Sequence, residues 1–188
     1  MRGYSITKAL NLPEYKITEV FKGTQGVLYI RVEPYKRKRF NCANCGQEHT
    51  GNIHSWKETT IEDLRIFGMR VFLLVRKRRI RCPQDGRPHV ELIDWVKPRS
   101  RVSGRFAQQV SRLTAITTNQ EAGWFLGLDD EAVYRIDKEI LEEQYNAKLM
   151  PPPAATSISV DEVSYKKYHR YLTNVVDTDE RAVIWNDR

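Results

Sequence analysis

Hydrophobic and polar positions along the chain change rhythm three times. Residues 1–35 alternate loosely, through Tyr15, Ile17, Glu19 and Phe21 and then Val27, Tyr29 and Arg31. That pattern predicts a hairpin of two strands with Gly23 and Gly26 at its turn. Residues 36–95 carry one strong strand signal, Met69 to Ile80. Its middle, Val71–Val75, is continuously apolar, and its end alternates Arg-Ile-Arg into Cys82. From residue 98 the spacing becomes helical. Phe106, Val110, Leu113 and Ile116 recur every three or four positions, which predicts a helix over Arg105–Thr117. Asn119 is the expected cap of a short helix running to Leu126, with Glu121 in its first turn. Gly127-Leu128-Asp129 makes a tight turn, and Asp130 opens a longer helix carrying Val133, Ile136, Ile140 and Leu141 on one face. Pro151-Pro152-Pro153 cannot continue a helix and predicts an extended linker. Beyond it, Thr156–Asp161, Tyr168–Asp177 and Ala182–Trp185 are short β-rich runs, expected to pair as a meander with Asp177–Glu180 as one turn.

Charge divides the chain differently. Residues 1–105 hold 22 Lys and Arg against 10 Asp and Glu, a net of +12, whereas residues 106–188 hold 9 against 14, a net of −5. The positive charge is also clustered. Lys36, Arg37, Lys38 and Arg39 precede the first cysteine pair, and Arg76, Lys77, Arg78, Arg79 and Arg81 precede the third cysteine. With Tyr35, Phe40 and Trp56 nearby, such clusters suit a phosphate backbone or unstacked bases, although a solvated strand face also accounts for many charge runs. No apolar stretch approaches the ~20 residues of a membrane-spanning helix. The opening MRGYSITKALNLPEY has no hydrophobic core followed by a cleavage site, so no signal peptide is expected. The three cysteines, an odd count, give no closed disulfide framework and point to a cytoplasmic chain, nucleoid-associated if it binds DNA.

The cysteines carry the most specific chemistry. Cys42-Ala-Asn-Cys45-Gly can place two thiolates on two corners of a tetrahedron, with glycine allowing the tight turn behind them. Cys82-Pro-Gln-Asp85-Gly86 has the same shape with a carboxylate in the last ligand position. Two such knuckles flanking a strand predict a structural Zn²⁺ site on Cys42, Cys45 and Cys82. For the fourth corner, knuckle geometry favours Asp85 and thiolate-partner chemistry favours His89; His49 and His54 are weaker candidates. In the helical region, a short helix, a glycine turn and a longer helix, with Ala122 small at the crossing, form a helix-turn-helix pattern. Its second helix opens with Asp129-Asp130-Glu131, which repels phosphate, so Tyr134, Arg135 and Lys138 are the residues expected to reach DNA. Ser157-Ile-Ser-Val-Asp161-Glu162 reads as an alternating strand ending in two carboxylates, able to present Asp161 to a metal.

The string DEVSYKKYHRYLTNVVDTDERAVIW from Asp161 resembles the opening of the DDE catalytic domain of ISL-three family insertion-sequence transposases, and DWVKPRSRVSGRF from Asp94 resembles that family's join between zinc module and helices. The likeness covers roughly residues 36–188. Together with the patterning, it gives an α+β, multi-module chain: the N-terminal hairpin (1–35) and the proline-rich linker (150–155) read from the residues, and the zinc-ribbon-like module (36–97), helix-turn-helix (98–149) and partial RNase-H-like meander (156–188) in the order the resemblance implies. It further implies that Cys42, Cys45 and Cys82 ligate zinc, with Asp85 where the family often carries histidine, and that Asp161 is the first catalytic carboxylate. A complete catalytic domain holds Mg²⁺ with three carboxylates. These 188 residues supply one, so the expectation is a truncated transposase that binds the transposon's terminal repeats as double-stranded DNA without cutting them. A homodimer or a full-length transposase is the expected protein partner. A zinc-stabilised protein-interaction module is the rival reading, and a remnant without function a third.

Overall fold

The computed structural model describes residues 10–36, 39–51, 53–146, 155–166 and 170–187. The chain divides after Leu141 into two compact units.

In the first unit, β1 (Tyr15–Lys22) and β2 (Val27–Pro34) form the expected hairpin around a 3-10 turn at Thr24–Gly26. The hairpin is not a module of its own. β2 runs parallel to β6 (Met69–Arg81), from Val27 opposite Arg70 to Val32 opposite Val75. The cause is matched alternation: Leu28, Ile30 and Val32 are buried with Val71, Leu73 and Val75 in one core, which Tyr15, Ile61, Ile93 and Val96 complete. Each aliphatic side chain so removed from water contributes about 1.5–3 kcal/mol. On its other side β6 pairs antiparallel with β5 (Ile53–Ile66), a 14-residue edge strand. The short β7 (Pro88–Val90) pairs with the end of β6, and β3 (Arg39–Asn41) pairs with β4 (Glu48–Thr50).

β6 serves two cores with opposite faces. Val71, Leu73 and Val75 enter the sheet core, whereas Arg78, Ile80 and Cys82 are the buried positions further along. Ile80 and Cys82 pack with Phe40 and Cys42 in a second, much smaller core.

Three helices follow: α1 (Gly104–Thr114), α2 (Asn119–Leu126) and α3 (Asp130–Asn146). Phe106, Ala107, Val110, Ala122, Leu126, Val133, Ile136 and Ile140 form their shared core, as the spacing implied. The ends differ from expectation. α1 stops at Thr114, so Ile116 lies beyond the helix and is 82% exposed. Thr118, rather than Asn119, caps α2: its hydroxyl accepts from the Glu121 amide, and the Glu121 carboxylate accepts from the Thr118 amide. This reciprocal pair satisfies two orphan donors. Gly127, at φ +72°, ends α2 in the left-handed conformation that glycine adopts without strain. The Asp129 carboxylate accepts from the Ala132 amide at 2.7 Å and caps α3.

Gly123 is the residue that lets α2 meet α3. A Cβ there would stand 2.7 Å from the Leu128 carbonyl oxygen, closer than two such atoms approach. Gly123→Ala must therefore push the α2–α3 turn apart. Despite alanine's better helix propensity, about 1 kcal/mol in its favour, the substitution is expected to lower the urea midpoint. An unchanged or raised midpoint would show that the turn can yield.

One buried ion pair fastens the helices to the sheet. Asp63 of β5 accepts from the Ser103 hydroxyl at 2.6 Å and from Arg105 Nε at 2.7 Å, while Arg105 Nη1 donates to the Leu10 carbonyl at 2.6 Å. Ser103 in turn caps α1 by accepting from the Phe106 amide. Leu64 and Val102 complete the join by packing into the helical core.

The second unit is an antiparallel meander of β8 (Ile158–Lys166), β9 (Arg170–Asp177) and β10 (Ala182–Asp187), in the order β10-β9-β8. Asp177 accepts from the Asp179 and Glu180 amides, which makes the expected turn. Asp161 does not end its strand. It sits in the middle of β8 opposite Asn174, because pairing continues through Val163 opposite Leu172 to Lys166 opposite Arg170. The Pro151–Pro153 linker lies outside the described residues.

Candidate metal centre and charged surface

The two cysteine knuckles have one hydrogen-bond design. The Cys42 amide donates to the Gln47 carbonyl and the Gly46 amide to the Cys42 carbonyl; forty residues on, Cys82 and Arg87, then Gly86 and Cys82, repeat those bonds. Gly46 and Gly86 have φ of +71° and +68°, which a side chain would oppose. The Asn44 amide also points at Cys42 Sγ at 3.4 Å. The backbone thus aims sulfur atoms from two knuckles at one point.

The fourth group at that point is His49. The ligand atoms of Cys42, Cys45, His49 and Cys82 all lie within 4.8 Å of one another, and Cys45 Sγ is 2.9 Å from His49 Nε2. Asp85, the fourth ligand favoured by knuckle shape, is not part of that cluster. Its carboxylate pairs with His89 Nε2 at 2.7 Å and accepts from the Arg87 amide at 3.0 Å. That contact occupies both sequence alternatives with each other. His49 arrives through β3 and β4, whose register sets Phe40 opposite His49 and folds the ring back over the first knuckle. His54 lies outside the cluster, bonded to Ser55.

Three thiols and an imidazole converging this closely fit a tetrahedral divalent cation of the zinc type. Burial alone would raise the Cys82 thiol. Hydrogen bonds from the Gln84 amide, Asn44, His49 and Cys45 outweigh it and hold Cys82 down at about 6. The Cys45 thiol moves the other way. The Gln47 amide lowers it, but burial and the sulfurs of Cys82 and Cys42 together push it up. Adjacent thiolates repel one another, and a bound cation removes that repulsion.

Residues 38–85, which hold all four cluster residues, match the zinc-finger of transposase IS204/IS1001/IS1096/IS1165. The transposase for insertion sequence element IS1001 of Bordetella parapertussis is 34% identical over 146 residues, 77% of this chain and 35% of that protein. The chain belongs to the ISL-three family of insertion-sequence transposases. The transposase for insertion sequence element IS1557 of Mycobacterium tuberculosis (strain CDC 1551 / Oshkosh) is 24% identical over 195 aligned positions, 96% of this chain and 40% of that protein. The chain thus spans well under half the length of these curated relatives. No solved structure matches it.

The basic clusters of the chain are not uniform surfaces. Arg78 is buried: its guanidinium bonds to Glu91 at 2.6 Å and lies 4.3 Å from the centre of the Phe40 ring. It supports the fold between sheet and metal centre and cannot meet DNA as expected. Arg76 covers Trp56 at 4.4 Å and pairs with Glu33 at 2.9 Å. Arg39 pairs with Glu48, Arg79 donates to the Pro88 carbonyl, and Arg81 donates to the Gly86 carbonyl. Lys36 is exposed, whereas Arg37 and Lys38 lie outside the described residues. On α3, Tyr134, Arg135 and Lys138 are exposed as the periodicity implied.

Sequence reasoning missed a groove of about 990 Å³ along β5, the 97–102 segment and α3. Lys57, Lys77, Arg99, Arg101 and Arg135 line it. Its three carboxylates are each paired with an arginine that does not line it: Glu58 with Arg31, Glu62 with Arg70, and Glu91 with Arg78. The groove therefore presents its cations with little opposing charge. Burial pushes the Lys77 ammonium down, and neighbouring Lys57 adds to that. An anion in the groove would oppose that lowering by favouring the charged ammonium. The signal was present in Lys97-Pro-Arg99-Ser-Arg101, but only the fold sets those residues against β5. No helix among the described residues is long and apolar enough to cross a membrane.

Proposed function

We propose that the first unit binds duplex DNA, with Zn²⁺ held by Cys42, Cys45, His49 and Cys82 and with α2, the Gly127 turn and α3 acting as a helix-turn-helix. The observation that carries this reading is the groove, where basic residues from the zinc-ribbon strands, the 97–102 segment and α3 converge while the carboxylates are neutralised from behind. Its phosphate contacts come from Lys57, Lys77, Arg99 and Arg101, and Tyr134, Arg135 and Lys138 contribute base contacts. Family membership supports the terminal repeats of the mobile element as the target, in a nucleoid-associated cytoplasmic setting. In the second unit, the resemblance makes Asp161 the first carboxylate of an RNase-H-like Mg²⁺ site.

Neutralising Arg99 and Arg101 together to Gln is expected to weaken binding of specific and random duplexes alike. The slope of log K against log salt should flatten by about 0.9 for each phosphate no longer neutralised. Fluorescence anisotropy at several salt concentrations reads both, and an unchanged slope would remove the groove from the interface. The protein-interaction reading draws on the exposure of Ile116 and Trp124, at 82% and 86%. Binding of a partner through those residues would be nearly indifferent to salt.

A further inference from the structure

We infer that the tip of the β5–β6 hairpin is a DNA-contacting wing beside the helix-turn-helix, with Phe67 as its apolar contact point. The inference rests on the DNA-binding reading of the first unit and adds a residue that the family resemblance does not assign.

Phe67 is 96% exposed, the most exposed large hydrophobic side chain among the described residues. It sits with Gly68 between the paired residues Ile66 and Met69, in a two-residue turn with φ of +50° and +78°. Two consecutive positive φ values are the requirement of a type I′ turn, where Asn-Gly is preferred and a bulky side chain in the first place is strained. An aromatic ring that gains nothing from burial and opposes its own turn points to a role outside the fold.

The tip is held firmly and in a specific place. Arg70 pairs with Glu62 through two bonds of 2.8 and 3.0 Å, and Leu64 packs into the helical core. A Cβ at Gly127 would meet the Arg70 guanidinium at 3.4 Å, so the hairpin abuts the turn that separates α2 from α3. A duplex engaged by α3 would run past this tip. The tip itself, Arg65-Ile-Phe67-Gly-Met-Arg70, contains no carboxylate, and Arg65 is exposed while Arg70 is paired with Glu62. A single apolar ring beside an exposed arginine is complementary to a polyanion whose grooves expose apolar base edges, where phenylalanine serves as a wedge. It offers little of the contiguous apolar area that a protein partner would bury.

Phe67→Asn separates function from folding, because asparagine suits the turn better than phenylalanine. The full 188-residue chain, loaded with Zn²⁺, is titrated by anisotropy into a fluorescein-labelled duplex about 30 bp long, roughly three helical turns. The variant is expected to keep or raise the melting temperature and to bind about tenfold more weakly. The slope of log K against log salt should not change, since every phosphate keeps its cation. Phe67→Trp should restore affinity. Wild-type affinity in Phe67→Asn would overturn the wing and leave the DNA-binding reading intact. So would a change in self-association with DNA affinity unaltered, which would give the tip to a second copy of the chain. Failure of the wild-type chain to bind the duplex would overturn both.

Discussion

Removing the metal is expected to unfold the knuckle region, residues 39–50 with 81–90, while the sheet core around Leu73 and the helices α1–α3 persist. The core around the knuckles consists of Phe40, Cys42, Ile80 and Cys82, with Cys45 partly buried against them. Four buried side chains cannot offset the conformational entropy of ordering the roughly twenty residues of the two knuckle segments. Zn²⁺ bound by thiolates and imidazole supplies about 10–16 kcal/mol of apparent binding energy in full structural sites, so the cation decides whether this region is folded. Dialysis against a chelator, followed by circular dichroism and metal analysis, tests the claim. His49→Ala should lose the metal with chelation-like unfolding, and Asp85→Ala should retain it. The reverse pattern would return the fourth corner to Asp85.

Acid should act in the same direction as the chelator. Cys82 is held at about 6, below its ordinary thiol value. Zinc takes thiolates and a neutral imidazole, so each proton gained by Cys42, Cys45, His49 or Cys82 competes with the cation. The apparent zinc affinity should therefore weaken as pH is lowered. A zinc affinity unchanged by pH would show that protons do not compete for these ligands.

Asp63→Ala is the second large effect. The carboxylate is 1% exposed and holds Arg105 and the Ser103 cap at once, so its loss leaves a cation and a hydroxyl without their acceptor. Removing one partner of a buried pair costs about 3–5 kcal/mol. The Arg105 side chain is 32% exposed and can recover some hydration, which sets the expectation near the lower figure. Urea unfolding monitored on the helices measures it. Asp63→Asn keeps an acceptor for Ser103 and should fall between wild type and Asp63→Ala. A loss in Asp63→Ala below about 1 kcal/mol would mean that Leu64 and Val102, rather than the ion pair, hold the helices to the sheet.

Much of this architecture was legible wherever the physics is local. The knuckles, the first hairpin, the helical faces and the terminal meander follow from spacing, glycine placement and alternation, each within a dozen residues. What was not legible depends on pairing between distant segments. β5 escaped notice because His54–Thr60 is almost wholly polar, and as an edge strand it takes its register from β6 rather than from burial. The run Arg76–Arg81 looked like one charged face, but β6 changes its buried side midway, so Arg78 became a core residue while Lys77 lines a groove. His49 was ranked below Asp85 because repeating the knuckle shape seemed to complete the site; only the pairing of β3 with β4 shows which imidazole reaches the sulfurs. Gly123 was overlooked beside Ala122 because the closeness of α2 to Leu128 is a property of the packed turn.

The function proposed for the first unit requires that, once loaded with metal, it grips DNA through the phosphates. The direct test is the salt dependence of duplex binding by the zinc-loaded chain, compared with the same chain after chelation. Log K is expected to fall linearly with log salt, with a slope of about 0.9 for each phosphate neutralised, and chelation should abolish most of the affinity. Binding that ignores salt, or that survives removal of the metal unchanged, would contradict the proposal.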